Sequence, residues 1–359
     1  MAIRASTPGV ARIMPLTTLK ESRFSVIVPA HNAADTLADC LRAILNSSVH
    51  LDEVIVFNDG STDDTLRIAQ GLPVQVLNNT GQPVGPALGR NRCAAIARSE
   101  ILVFVDADVI VRRGAIATLV STIVENSTVA AAFGSYDDRP RSHRIVALYA
   151  NLRHHYVHQN GQADALTFWA GLGAIRQSAF HDVGRFDSRF RSIEDIELGV
   201  RLSAAGHQIR FVPTAQGTHC KDWRLLQLWQ TDIFGRAMPW SRLLVNGATQ
   251  GMPLNLSRAE RLRAALACGT LLAGAAGFVT ELSWLGPIGL LAFAMSNATF
   301  LALLFRVGGA RALAGGLALH FCYYIYSSVS FATIAAHNVL ASRTHKLKAR
   351  EAGSAAKRI

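Results

Sequence analysis

The chain is poor in cysteine and in acid, and each shortage narrows what it can be. Its five cysteines, Cys40, Cys93, Cys220, Cys268 and Cys322, are dispersed without metal-ligand spacing. They point to neither a zinc site nor a secreted disulfide framework, and a reducing cytosol is the simplest setting. Asp and Glu number 25 against 36 Lys and Arg, giving a net charge of +11. Residues 1–22 carry Arg4, Arg12 and Lys20 but no sustained apolar stretch, so they read as a flexible tail and not as a signal peptide. No internal repeat is visible. No H-E-x-x-H arrangement exists either: His154, His155 and His158 have no acid between them and read as surface or packing residues.

What is abundant is apolar sequence, half of the 359 residues, and it is unevenly spread. Up to about residue 220 the chain reads as ordinary α/β sequence. Ala264 to Ala336 is mostly apolar, interrupted only by Glu281, Arg306, Arg311 and His320, which is membrane composition. Much of the basic excess (Arg258, Arg261, Arg263, Arg306, Arg311 and the tail from Arg343 to Arg358) flanks those apolar segments. It therefore reads as anchoring to anionic lipid head groups, and nucleic acid is not expected as a partner.

In the first part, strands alternate with helical patterns. Phe24 to Val28 is a short β-branched run stopped by Pro29; Asp35 to about Asn46 has the apolar spacing of an amphipathic helix; Val54 to Phe57 is a second strand. Strand, helix, strand predicts a parallel sheet with a right-handed crossover. A third strand around Val74 to Leu77 leads through a turn-rich stretch to a helix over Ala87 to Arg98, and Ile101 to Val105 is a continuous apolar run, the pattern of a buried strand. That strand ends in Asp106 and Asp108. Two acids at the carboxyl end of a parallel strand lie where α/β sheets bind ligands, and their repulsion asks for a cation.

Other strand ends add to the same place. In Asn58-Asp-Gly-Ser-Thr-Asp-Asp-Thr65, Ser61 suits a helix cap and Asp63 and Asp64 a first helical turn, whereas Asp59 stands before the cap with no capping task and is a candidate ligand. Arg90, early in the third crossover, offers a fork of donors to a diphosphate or to a salt bridge.

The motifs P-A-H-N, N-D-G-S-T-D-D-T, G-R-N and D-A-D, followed by A-G-L-G-A-I-R from Ala170, V-G-R-F-D from Val183 and E-D-I-E-L-G-V-R-L from Glu194, resemble the family 2 glycosyltransferases of the GT-A fold over roughly residues 23–220. The resemblance implies a GT-A α/β fold and a nucleoside diphosphate sugar as donor. The loop holding Pro29, His31 and Asn32, with Asp59, would hold the nucleotide base, and Arg90 would lie near the pyrophosphate. Asp106 and Asp108 would form the Asp-x-Asp motif that takes Mg²⁺ or Mn²⁺, Asp106 also facing the donor. Asp195 would be the catalytic base. His219, after the last strand expected at Ile209 to Val212, would be a third metal ligand. One departure is Asn58, where the family usually has an acid.

The expected chemistry is displacement of a nucleoside diphosphate by an acceptor hydroxyl or phosphate, with inversion. A carboxylate-held cation stabilises the leaving charge and one base takes the acceptor proton. A nucleotidyltransferase on a similar sheet, or a membrane scaffold with a transferase-like domain, are the alternatives. Trp223 to Val245 interleaves aromatics with Arg224, Arg236 and Arg242, as a bilayer interface selects. Apolar segments at about 264–280, 284–305 and 312–336 follow. The expected organisation is thus a flexible tail (1–22), a GT-A catalytic domain (23–220), interfacial amphipathic helices (221–262), two to three transmembrane helices (263–337) and a basic tail (338–359). The catalytic domain would be cytoplasmic on a multi-pass membrane protein, with a membrane lipid or lipid-linked acceptor.

Overall fold

The computed structural model describes residues 23–246, 257–277, 281 and 283–356, with side chains as far as 341. The tail at 1–22 and the last residues of the basic tail lie outside the described residues. The strands are β1 (Phe24–Ala30), β2 (Glu53–Asp59), β3 (Gln75–Asn79), β4 (Ile101–Val105), β5 (Val109–Val111), β6 (Val129–Tyr136), β7 (Asp164–Ala165), β8 (Leu172–Arg176) and β9 (Gln208–His219). Among the described residues they form one sheet in the order β3-β2-β1-β4-β8-β6-β9-β5, with β7 also on β9. The helices between them are α1 (Leu37–Leu45), α2 (Thr65–Gln70), α3 (Pro86–Ile96), α4 (Ala115–Val124), α5 (Ile145–Gln159), α6 (Gln177–Asp182) and α7 (Glu194–Ala204).

The first four strands pair in parallel, β3-β2-β1-β4, as the alternating pattern predicts. β4 is buried at every residue, which is why it reads as an unbroken apolar run. β1 continues past Pro29, where the sequence suggested a stop. The Phe24 N–H donates toward the β2 side, to Asp52. Alternation then turns the missing N–H of Pro29 toward β4, whose pairing with β1 has already ended at Ile27. No ladder bond is lost.

The second half of the sheet is mixed. β8 runs antiparallel to β4 and β6, and β9 is parallel to β6 but antiparallel to β5 and β7. β9 is longer than Ile209 to Val212 because it absorbs Pro213 in a register shift opposite Gly134. A Cβ on Gly134 would lie 2.1 Å from the Ala215 carbonyl oxygen, so only glycine lets the bulge approach. Beyond the bulge β9 carries the chain on to His219.

After β9 come α8 (Leu225–Gln230), a π-helical turn (Thr231–Ala237) and α9 (Met238–Val245), then α10 (Arg258–Gly277), α11 (Leu285–Ser296) and α12 (Ala298–Ala356), which is broken at Gly309 (φ 69°, ψ −164°). Among the described residues one helix, Ala298–Ala341, is long and apolar enough to cross a membrane. The other apolar segments expected to span, about 264–280 and 284–305, do not meet that test among the described residues, for local reasons. α10 begins with Arg258, Glu260, Arg261 and Arg263, and α11 has only 12 residues before Asn297 interrupts it. The C-terminal helices also share a core with the catalytic region: Phe300, Leu301, Leu304 and Ala312 pack with Leu148, Tyr149 and Leu152 of α5.

Candidate active site

The carboxyl ends of β1, β2 and β4 lie side by side, and their loops are tied together before any ligand is considered. Asn32, at φ 47°, occupies the left-handed region that asparagine tolerates. Its N–H donates to Ser61 Oγ, and its Oδ1 accepts from the Thr62 N–H at 2.8 Å. His31 Nδ1 donates to the Asp59 carbonyl at 2.7 Å. Both side chains remain exposed at the rim, and Pro29 sits just inside them in β1.

Asp59 has a task that the sequence pattern hid. Its buried carboxylate accepts from the Val84 and Gly85 N–H groups and from Asn79 Nδ2, at 2.8–3.1 Å, so it fixes the loop that enters α3. Gly60 is needed for this arrangement: at φ 62°, a Cβ there would meet the Gly81 carbonyl oxygen at 2.5 Å. Ser61 does not cap α2, whose N-cap position is Asp64; Asp63, just before it, accepts from the Thr65 N–H. Asn58 is buried and donates to Asn78 Oδ1 on β3, so the departure at this position serves strand-to-strand packing.

Arg90, expected near the pyrophosphate or in a salt bridge, makes two ion pairs. It is 4% exposed, and its guanidinium bridges Asp106 Oδ1 and Glu194 Oε1, each at 2.6 Å. It is a buried tie between the end of β4 and the start of α7. Glu194, its partner there, was signalled only as the neighbour of Asp195.

Asp106 and Asp108 straddle a tight turn in which the Val109 N–H donates to the Asp106 carbonyl. The antiparallel register of β5 and β9 sets Val109 opposite His219. That pairing brings His219 Nε2 to 3.4 Å from Asp108 Oδ2. Burial pushes Asp106 above the ordinary carboxylate range against the pull of Arg90, with Asp108 adding to the rise. Burial opposes the charge on Asp108 as well, but His219 and then Lys221 outweigh it and hold that carboxyl low.

Asp195 opens α7 beside Glu194. Its Oδ2 accepts from the Ala170 N–H at 3.1 Å and its Oδ1 from the Ile196 N–H at 2.8 Å. Its pKa is pushed up to about 7, by burial first and then by the Glu194 charge. Arg90 lies within electrostatic reach of Asp106, Glu194 and Asp195 together, so the Asp-x-Asp turn and Asp195 face one buried cation.

Tyr136, Trp169 and Asn151 carried no sequence signal. Tyr136 stacks on His219 with ring centroids 4.2 Å apart and meets Trp169 edge-on at 4.6 Å. His154 stacks on Tyr136 and His158 packs against Trp169; burial holds the pKa of His158 down at about 4 and that of His154 well below the usual range. The packing expected of these two histidines is found, at the edge of the site and not on a surface. Asn151, an amide within an apolar helix, holds His219 Nδ1 at 2.7 Å.

Among the described residues no three His, Cys, Asp or Glu side chains converge as a cage for a metal. The donors present suit an open site instead. Mg²⁺ and its relatives are commonly held by one or two carboxylates together with substrate phosphates, and Asp108 with His219 supplies one carboxylate and one imidazole beside Asp106.

A half-parallel sheet with acids at adjoining strand ends, and a further acid at the start of α7 beside the shared Arg90, gives the chain a nucleotide-diphospho-sugar transferase fold of the GT-A type. The family model for glycosyl transferase family 2 matches residues 25–184 of the chain. The match stops short of Asp195 and His219. The chain is 31% identical over 232 residues to the pre-mycofactocin glycosyltransferase of Mycobacterium tuberculosis, covering 60% of this chain and 47% of that protein. It is 25% identical over 218 residues to the succinoglycan biosynthesis protein ExoU of Rhizobium meliloti, covering 55% and 61%. The chain thus spans about half the length of the first of these relatives. In fold it is similar to the mannosyltransferase PcManGT of Pyrobaculum calidifontis, solved with GDP-Man and Mn²⁺, at a TM-score of 0.53 and 22% identity, over 86% of this chain and 87% of that one.

Proposed function

We propose that the chain is an inverting, divalent-metal-dependent glycosyltransferase that moves a sugar from a nucleoside diphosphate sugar, UDP- or GDP-linked, to a hydroxyl or phosphate of a membrane-associated acceptor. The observation that carries the reading is the pairing of two carboxylate environments, at the Asp106–Asp108 turn and at the start of α7, on either side of the buried Arg90. Asp108 is held ionised beside His219, suited to a cation, while Asp195 has a pKa of about 7, suited to a base. Environments that push two acids apart in pKa assign them different tasks.

In this reading Asp106, Asp108 and His219 would hold Mg²⁺ or Mn²⁺. The ion would neutralise charge developing on the departing diphosphate. His31 and Asn32 line the rim where the base would lie, with Pro29 behind them. Asp59 contributes by fixing the Val84–Gly85 backbone beside it, and Arg90 by holding Asp106 in place. Asp195 takes the proton of the acceptor as its oxygen bonds to the anomeric carbon. The bond from that carbon to the diphosphate oxygen breaks on the opposite face, and the nucleoside diphosphate leaves with the electron pair. The exposed apolar residues of α8 and the π-helical turn, together with the Ala298–Ala341 helix, support attachment to a membrane.

The test is nucleoside diphosphate release by the full chain in lipid, screened over UDP- and GDP-sugars with polyprenyl phosphate and glycolipid acceptors. Release that depends on both a divalent cation and an acceptor is expected. Release of pyrophosphate in place of nucleoside diphosphate would establish the nucleotidyltransferase alternative and remove this reading.

A further inference from the structure

Asn151 lies midway along α5, 2% exposed, between the buried Ala150 and Leu152. A buried amide in an apolar helix face is costly unless both of its ends are used. Here its Nδ2 donates to the Lys221 carbonyl at 3.2 Å and its Oδ1 lies 2.7 Å from His219 Nδ1. A carbonyl oxygen can only accept, so Lys221 fixes which end of the amide is nitrogen and which is oxygen. With oxygen toward His219, Nδ1 must carry the hydrogen. In the neutral ring Nε2 is then bare. It is Nε2 that faces Asp108 Oδ2 at 3.4 Å. Tyr136, stacked at an interplanar angle of 6°, holds the plane of the ring, while Asn151 settles which nitrogen points where.

With Nδ1–H committed to Asn151, Nε2 faces Asp108 Oδ2 across 3.4 Å, a gap that takes either the proton of a charged ring or, in its place, a cation that both atoms ligate. We propose that Asn151 is the positioning residue of the metal site: it holds His219 in the tautomer whose free Nε2 joins Asp108, and so sets the affinity for the divalent ion. The proposal rests on the reading of Asp108 and His219 as metal ligands. It brings α5 into the site, and α5 is also the helix whose Tyr149 and Arg153 meet the C-terminal helices.

The experiment titrates Mn²⁺ into the full chain in detergent, following the free-ion signal by electron paramagnetic resonance. One series contains saturating UDP and a parallel series GDP. Wild type, His219→Ala, Asn151→Leu and Asn151→Asp are compared, with melting temperatures and metal-free nucleotide affinities measured alongside. Partners that orient a ligating histidine are typically worth about 10- to 100-fold in metal affinity, and Asn151→Leu should weaken Mn²⁺ binding by that factor without changing metal-free nucleotide affinity. Asn151→Asp keeps an oxygen for Nδ1–H and should stay within about threefold of wild type, since the orienting acceptor is preserved. Wild-type affinity in the Leu variant would overturn the proposal. If the Leu variant does not fold, a tenfold or greater loss in a stably folded Asp variant would overturn it equally. If wild type itself binds no Mn²⁺ with either nucleotide, the metal reading fails and this inference with it; normal wild-type binding with an indifferent Asn151 removes the inference alone.

Discussion

The edge of the sheet that forms the site and the helices that follow it are held by different means. At the strand ends, sheet register decides position. The β5–β9 pairing places His219 beside Asp108, and the parallel β1, β2 and β4 bring the Asn32, Asp59 and Asp106 loops together. In the C-terminal region a buried polar cluster decides it. Asp232, in the π-helical turn, pairs with Arg153 of α5 at 2.8 Å, accepts from Arg236 at 2.8 Å and accepts from Tyr326 of α12 at 2.6 Å. Arg153 also lies over the Tyr323 ring, 4.1 Å from its centroid. A register contact is local and repeats along a ladder, whereas one carboxylate at a three-element junction has no substitute. Point changes should therefore divide by region: chemistry lost at the strand ends, architecture lost at the junction.

The largest effect is expected at Asp108. Asp108→Asn removes the carboxylate that His219 faces, and nucleoside diphosphate release should fall to background with loss of Mn²⁺ binding, while the melting temperature moves little because the β4–β5 turn is held by backbone bonds. Turnover close to wild type would break the assignment of this edge to chemistry.

Asp195→Asn comes next. Removing a general base is typically worth about 10² to 10⁴-fold in rate, with nucleotide affinity retained. The wild-type rate should rise with pH and level off above about 7, as the carboxyl of that pKa ionises. The same shift has a sign for stability. Because the folded-state pKa lies above the unfolded value, the native state keeps a proton that the unfolded chain releases between the ordinary carboxylate range and about pH 7. Stability is thus lost as pH rises through that window. The Asn variant should lack this loss, so its melting temperature should exceed that of wild type at pH 8 and match it near pH 4. A flat pH–rate profile in wild type would remove the base assignment.

At the junction the expectation reverses. Asp232→Asn leaves Arg153 buried without a charge partner, and breaking such a pair costs about 3–5 kcal/mol. Burial alone would raise the Asp232 pKa, but Arg153 and then Arg236 outweigh it and hold it low. Its contribution to stability is therefore present above the ordinary carboxylate range and is lost as pH falls through the lowered folded value. Thermal unfolding in detergent at pH 7 and pH 3 would show a variant deficit that shrinks toward acid. An unchanged melting temperature at pH 7 would mean the C-terminal helices are held by the apolar contacts of Phe300 and Leu304 alone.

The two regions were also unequally legible. The strand ends announce themselves because β4 is buried on both faces and reads as unbroken apolar sequence, and because Asp106 and Asp108 follow it directly. Asp59 was legible as an unusual acid but not as the anchor of Val84 and Gly85, since its partners are 25 and 26 residues away. Arg90 could be read as a donor fork, though its second partner, Glu194, is 104 residues distant. In the C-terminal region composition reports hydrophobicity and nothing of what covers it. α12 buries Phe300, Leu304 and Ala312 against α5, a face indistinguishable in sequence from one meeting lipid. Asn151 hid for a similar reason, because one amide in an apolar helix signals burial but not what it orients.

The smallest expected effect concerns the surface that leads from the junction outward. Leu226 and Phe234 are 66% and 67% exposed on α8 and the π-helical turn, close to the half-exposed Trp229 and Leu225. Large apolar side chains left in water cost their transfer energy, about 1.5–3 kcal/mol each if fully buried elsewhere. If this patch inserts among lipid head groups, Leu226→Ser with Phe234→Ser should weaken partitioning of the full chain onto anionic vesicles while changing neither metal-dependent nucleotide binding nor melting temperature in detergent. Neither side chain contributes to the Asp232 cluster, so a loss of stability would mean the patch packs inward. Vesicle flotation at low and high salt separates the two contributions to attachment. A salt-sensitive remainder in the double variant would fall to the basic residues flanking α10, and a salt-resistant remainder to the Ala298–Ala341 helix. Undiminished binding at both salt concentrations would show that this surface has no part in membrane attachment.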